Sequence, residues 1–93
     1  MKKEFDDIPA GTPLEFDHLV FYLRQGREIE FIYDGEEYFI SNSKEGRALW
    51  KETIQLSDYF EIDDLEALSN IKIKNKNLAD IFKNSEGIVQ TVF

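Results

Sequence analysis

The stretch from Arg27 to Ser41, REIEFIYDGEEYFIS, limits the possible folds of this chain more than any other. Two β-prone runs flank Asp34-Gly35, a dipeptide that fits a two-residue type I′ turn because both central residues of that turn need positive φ. The sequence therefore predicts a β-hairpin. Its register pairs Tyr33 with Glu36, Phe31 with Tyr38, and Ile29 with Ile40.

This register sorts the hairpin side chains into two faces. Residues paired across antiparallel strands share a face, and a loop longer by one residue would mix acidic and apolar side chains. One face carries Ile29, Phe31, Tyr33, Tyr38 and Ile40. The opposite face carries Glu28, Glu30 and Glu37 together with Ile32 and Phe39.

A helix is predicted before the hairpin, over about residues 13–25. Thr12 would cap it, Pro13 suits its first position, and Glu15 would complete a capping box. Gly26 suits the left-handed residue that follows a helix. The apolar stripe of this helix consists of Phe16, Leu19, Val20 and Leu23.

After the hairpin in the chain, the sequence of Arg47–Ile54 favours a third antiparallel strand. Trp50 is predicted to lie in the core, as aromatic residues of small domains usually do. The segment 55–61 either continues this strand or forms a loop with Tyr59 and Phe60 tucked inward.

The last third of the chain predicts two short helices. Asp63 would cap the first, which ends near Asn70, and Asn77 would cap the second, which ends near Gly87. Between them, Ile71–Lys74 alternates like a brief strand. Residues 88–93 either add an edge strand or stay mobile.

The length of 93 residues allows one domain. We predict a single α+β domain over residues 12–93, preceded by a flexible N-terminal arm over residues 1–11. Its elements are an N-terminal helix, a three-stranded antiparallel meander and two short C-terminal helices.

The composition narrows the class of function. Nineteen acidic and eleven basic residues give a formal net charge of −8, which argues against direct binding to nucleic acid or to an anionic membrane. The absence of cysteine excludes disulfides and thiolate metal sites. With no apolar run long enough to span a membrane and no apolar signal region at the N-terminus, a cytoplasmic protein is expected. The oligomeric state is left open.

The acidity is concentrated on the hairpin and the segment behind it. Residues 28–66 hold twelve acidic and three basic residues, a net charge of −9. Charged strands of this kind prevent edge-to-edge aggregation. They are also suited to bind a basic groove on a partner protein. The cluster comprises Asp34, Glu36 and Glu37, with Glu28 and Glu30 further down the strands.

No motif indicates catalysis, a metal or a cofactor, and we predict a non-enzymatic protein. His18, the one histidine of the sequence, falls on the polar side of the predicted helix and is predicted to be a surface residue. The acids around Asp63 and Asp64 lack the spacing of a calcium loop. A solvated basic face, rather than a nucleic-acid patch, is predicted for Lys72, Lys74, Lys76 and Lys83.

The string D-G-x-E-Y-x-I-S, here Asp34–Ser41, resembles the central hairpin of a family of small acidic phage anti-CRISPR proteins. The resemblance implies the same order of elements. It also implies inhibition of a type II RNA-guided nuclease, whose basic, DNA-reading pocket such inhibitors fill with carboxylates. The contacting residues implied are Asp34, Gly35, Glu36 and Glu37, and next Asp63 and Asp64.

The longer pattern F-D-x-L-V-F-Y-L-x-x-G-R-E-I-E-F-x-Y-x-G-x-x-Y-x-I is similar to small uncharacterised proteins of Firmicutes and their prophages. That likeness implies no activity. The leading hypothesis is thus an acidic inhibitor that presents its hairpin to a basic groove. The alternative is an accessory or regulatory domain that binds a protein complex through an apolar patch around Trp50.

Overall fold

The protein is built from short helices and strands on either side of the central hairpin. The computed structural model describes residues 9–93, so most of the predicted arm at 1–11 lies outside the described residues. The helices are α1 (Phe16–Arg24), α2 (Leu65–Asn70) and α3 (Leu78–Lys83). The strands are β1 (Ile29–Tyr33), β2 (Glu36–Ser43), β3 (Gly46–Lys51), β4 (Ile54–Gln55), β5 (Lys72–Ile73), β6 (Lys76–Asn77) and β7 (Ile88–Val92).

Five of these strands form one antiparallel sheet in the order β4-β3-β2-β1-β7, and β5 pairs with β6 in a separate hairpin. The α+β class is therefore confirmed, with the β1-β2-β3 meander at the centre of the sheet. The prediction of three strands is wrong, because the chain reverses at Glu52-Thr53 to form β4 and returns at its end to pair β7 with β1. None of the helices within residues 9–93 is long and apolar enough to cross a membrane.

The central hairpin has the register predicted from the sequence. Tyr33 pairs with Glu36, and the pairing continues to Ile29 and Ile40. Asp34 and Gly35 have φ of 52° and 75°, the positive values that a type I′ turn requires. The local turn chemistry thus sets the register between β1 and β2.

The core lies on one face of the sheet, beneath the helices. Ile29, Phe31 and Leu49 are fully buried there, and the Phe31 ring meets the edge of Phe82 in α3 at 5.0 Å between centroids. Trp50 pairs with Phe39 on the opposite face and is half-buried, so the prediction of a core tryptophan is wrong. The reason is strand alternation: Leu49 pairs with Ile40, and its neighbour must point the other way.

Helix α1 begins later than predicted. Residues 12–14 are extended and pair with the start of β7: the Leu14 N–H donates to the Gly87 carbonyl at 2.9 Å, and the Val89 N–H donates to the Thr12 carbonyl at 3.0 Å. Thr12 is therefore not the cap. Glu15 takes the N-cap position without a side-chain capping bond, so the predicted capping box is absent.

The segment after β4 runs back along β3. The Leu56 N–H donates to the Leu49 carbonyl at 2.8 Å, and Arg47 and Phe60 exchange two backbone hydrogen bonds at 2.8 Å. Phe60 is buried, as expected of an inward loop, but Tyr59 is 43% exposed. The segment thus covers the edge of β3 without forming a regular strand over its full length.

Two helix boundaries also differ from the prediction. Asp64, not Asp63, caps α2, because its Oδ1 accepts the Ala67 N–H at 3.0 Å. Helix α3 ends at Lys83 rather than near Gly87, and the chain turns there with Ser85 at φ 60°. Of the two possibilities for residues 88–93, the edge strand is formed.

A buried arginine joins α1 to the sheet. Arg47 in β3 is 4% exposed, and its guanidinium donates to the carbonyls of Leu23, at the end of α1, and of Arg27, the latter at 2.9 Å. Burial lowers the pKa of Arg47, and the Glu28 carboxylate opposes that shift. Nothing in the sequence pattern distinguishes this arginine from an exposed one.

Candidate partner-binding surface

The carboxylates of the hairpin fall into two groups, and the first is neutralised within the protein. The Lys74 Nζ lies 2.9 Å from Asp34 Oδ2 and 2.7 Å from Glu36 Oε2, and the Lys51 Nζ lies 2.8 Å from Glu36 Oε1. We call Asp34, Glu36, Lys51 and Lys74 the paired tip. The hydrogen bond from Lys51 has the largest effect on the Glu36 carboxylate, and that from Lys74 the next largest. Together they lower the pKa of Glu36 from 4.5 to about 2.

The position of the paired tip follows from the register. Glu36 lies opposite Tyr33, on the same side of the sheet as the core. The small β5–β6 hairpin lies on that side too, and its turn residue Lys74 reaches both carboxylates. Because two ammonium groups already pair with the Glu36 carboxylate, it attracts a basic partner less strongly than an unpaired carboxylate would.

Glu28 is also engaged within the fold. Its Oε2 accepts the Asn42 N–H at 2.9 Å, and its charge acts on the buried Arg47. It is half-buried. Its carboxylate therefore helps to join α1 to the sheet.

The second group lies on the sheet face opposite the core. Cross-strand pairing sets Glu30 beside Phe39 and Phe39 beside Trp50, and sets Ile32 beside Glu37. We call this surface the open face. It consists of Glu30, Ile32, Glu37, Phe39, Trp50 and Phe93.

A groove of about 750 Å³ runs over the open face. Phe39 and Phe93 lie in it with their rings edge-on, 6.0 Å between centroids, and Phe93 is 58% exposed. Glu30, Glu37 and Glu52 also line the groove, and Glu36 and Lys51 of the paired tip lie at its end. Lys51 is the one basic lining residue within residues 9–93. The surface thus combines apolar rings with an excess of negative charge.

The open-face carboxylates lack the neutralisation seen at the tip. Within residues 9–93, no lysine or arginine forms an ion pair with Glu30 or Glu37. Glu37 accepts a hydrogen bond from the Gln90 amide at 2.9 Å, which orients it without cancelling its charge. The Trp50 Nε1 donates to Ser41 Oγ at 2.9 Å, so the indole too is held in place.

The remaining candidates lie elsewhere. Asp63 and Asp64 are in the loop before α2, and Asp64 is engaged as its cap. His18 is buried against Tyr22, with ring centroids 4.5 Å apart, so the prediction of a surface histidine is wrong. The buried arc of α1 is wider than the predicted stripe and includes both rings. Residues 9–93 contain no cluster of His, Asp and Glu arranged to hold a metal ion.

Comparison of the chain with known protein families, with curated proteins and with solved structures finds no match. The resemblance of Asp34–Ser41 to the anti-CRISPR hairpin therefore stays a prediction.

Proposed function

We propose that this is a small, acidic, non-enzymatic interaction protein that binds a basic surface of a partner protein through its open face. The observation that carries the proposal is the pair Glu30 and Glu37. Both project from the hairpin beside Phe39, and neither has an ion-pair partner within residues 9–93. The proposed contacts thus move from the turn residues Asp34 and Glu36 to the strand residues on the open face.

Carboxylates and aromatic rings supply different parts of such an interaction. Unpaired charges attract a basic partner over a distance and fix its orientation. Buried aromatic anchors provide most of the binding free energy at typical interfaces. The Phe93 ring is exposed, so a partner can bury it. The Trp50 indole is held by its hydrogen bond to Ser41 and offers a rigid surface.

The proposed action is inhibition of a protein with a basic, nucleic-acid-binding groove, such as an RNA-guided nuclease. An acidic surface that fits such a groove excludes the nucleic acid phosphates that normally occupy it. Gly35 allows the tight turn at the end of the hairpin, so that its strands can enter a groove. Asp63 would be a secondary contact.

The alternative function, docking through an apolar patch around Trp50, draws on the same surface. Trp50 neighbours Phe39 in the sheet, so an apolar partner would also cover the open face. The two functions differ in the groups on which binding depends. For the first, binding should weaken with added salt and with loss of Glu30 and Glu37. For the second, binding should depend on the ring of Trp50.

Affinity capture from a bacterial lysate, with the variants compared side by side, tests the proposal. Glu30→Lys with Glu37→Lys should abolish capture of the partner, and duplex DNA should compete with the wild-type protein for it. The matched control is Glu45→Lys with Asp80→Lys, which changes the net charge equally at exposed positions on other elements. Equal capture by both double variants would refute the proposal, and loss of capture with Trp50→Ala alone would favour the alternative.

A further inference from the structure

A second exposed apolar surface lies beyond the edge of β3. Ile54, Leu56 and Tyr59 are 61%, 41% and 43% exposed. Single exposed apolar residues are ordinary, but these three lie within six consecutive residues of the segment that runs along the edge of β3. We call Ile54, Leu56 and Tyr59 the edge patch.

The edge patch is separate from the open face. Ile54 pairs with Lys51, and the Leu56 N–H bonds to the Leu49 carbonyl, so alternation places both side chains on the side of the sheet that Leu49 occupies. Beside the patch, a groove of about 210 Å³ lies between the 57–60 segment and α2, with Tyr59 in its wall. A partner could therefore occupy this site without touching Phe39.

The strand at this edge has a free side. Because Leu56 bonds to Leu49, the next pair, Gln55 with Trp50, is the non-hydrogen-bonded kind, and Gln55 turns its N–H and carbonyl away from β3. No strand of residues 9–93 lies beyond β4 in the sheet. An extended segment can thus lie alongside β4 and use these groups.

The charge of the region determines which segment fits. Residues 52–71 hold six acidic residues and no basic one. A second copy of this chain would bring two such segments together and is disfavoured by their repulsion. We propose that the edge patch docks an extended segment of a partner protein in which apolar side chains alternate with lysine or arginine.

Titration of the full-length, ¹⁵N-labelled protein with three synthetic hexapeptides tests this proposal. The peptides are alternating Lys-Leu, Lys-Ser and Glu-Leu. The Lys-Leu peptide should shift the amide signals of residues 54–59 and bind about tenfold more tightly than either of the others, because only it supplies both apolar contact and complementary charge.

Variants assign the binding to the edge patch. Ile54→Ser with Tyr59→Ser should weaken the binding of the Lys-Leu peptide, followed at the amide signals of residues 54–59, about tenfold. Gln25→Ser with Asn84→Ser, at exposed positions outside both the edge patch and the open face, should leave it unchanged.

Four results would overturn the proposal: no shifts with the Lys-Leu peptide at its highest soluble concentration, equal binding of the Lys-Ser peptide, shifts confined to the open face, or a dimer in sedimentation that Ile54→Ser dissociates. The last would make a second copy the occupant. Shifts confined to the open face would overturn this proposal while supporting the proposed function, and the other three results leave the proposed function to its own test with Glu30→Lys and Glu37→Lys.

Discussion

Replacement of Arg47 by methionine tests how firmly the sheet is joined to α1. The guanidinium donates to the carbonyls of Leu23 and Arg27, and more weakly to that of Ser41 at 3.5 Å. Methionine retains much of the stem but donates nothing. A buried group that loses its partner costs about 1–3 kcal/mol, and removal of a buried charge returns part of its desolvation cost. In the variant the Leu23 carbonyl still accepts a hydrogen bond from the Gly26 N–H, so the unpaired group is chiefly the Arg27 carbonyl. We therefore expect a net loss of about 2–4 kcal/mol in the free energy of unfolding.

Urea denaturation followed by tryptophan fluorescence measures this loss. The matched control is Arg24→Met, which removes the same charge from an exposed position in the last turn of α1 and should change stability by about 0.5 kcal/mol or less. If Arg47→Met were as stable as this control, the buried guanidinium would not hold the fold together as described.

The free energy of unfolding should also depend on pH and should fall when glycine is replaced by alanine at two turns. Lys51 and Lys74 hold the pKa of Glu36 at about 2 instead of 4.5, so its ionised form contributes stability above pH 4.5 that is lost as the pH falls toward 2. The urea midpoints of wild type and Glu36→Gln should therefore converge over this range, and a constant difference would contradict the pairing. In Gly46→Ala, with φ 119°, the new Cβ would lie 2.9 Å from the Phe60 carbonyl oxygen, and we expect a loss of about 2–4 kcal/mol. Gly35→Ala, with φ 75° and open space around it, should lose only about 1–2 kcal/mol, and equal losses would show that the contact is unimportant.

Local signals in the sequence were sufficient for the hairpin but not for the whole sheet. Asp34-Gly35 and the alternation around it determine a register between adjacent strands. The pairing of β7 with β1 joins residues at distant points of the chain, and no local pattern encodes it. The side chain of Trp50 cannot be assigned to a face from the sequence of β3, because Leu49 beside it is also apolar and alternation does not indicate which of the two faces the core.

For the candidate site, too, the sequence indicates the face on which the hairpin carboxylates lie but not which of them are paired with lysine. The alternation of the hairpin places Glu30 and Glu37 on the face opposite the core, as observed. The neutralisation of Asp34 by Lys74 depends on a contact between residues 40 positions apart. The turn that carries Lys74, in which Lys74 and Asn75 have positive φ, has no sequence pattern that indicates which carboxylates it meets.

The dissociation constant of the captured partner, measured by calorimetry for two single variants, tests most directly whether the open face is the binding surface. Glu37→Gln removes a charge that has no ion-pair partner within residues 9–93 and should weaken binding about fivefold to tenfold at low salt, with a smaller effect at high salt. Asp34→Asn removes a charge already paired with Lys74 and should change the constant less than about twofold. The reverse order, with Asp34→Asn the more damaging variant, would contradict binding through the open face and return the contact to the turn.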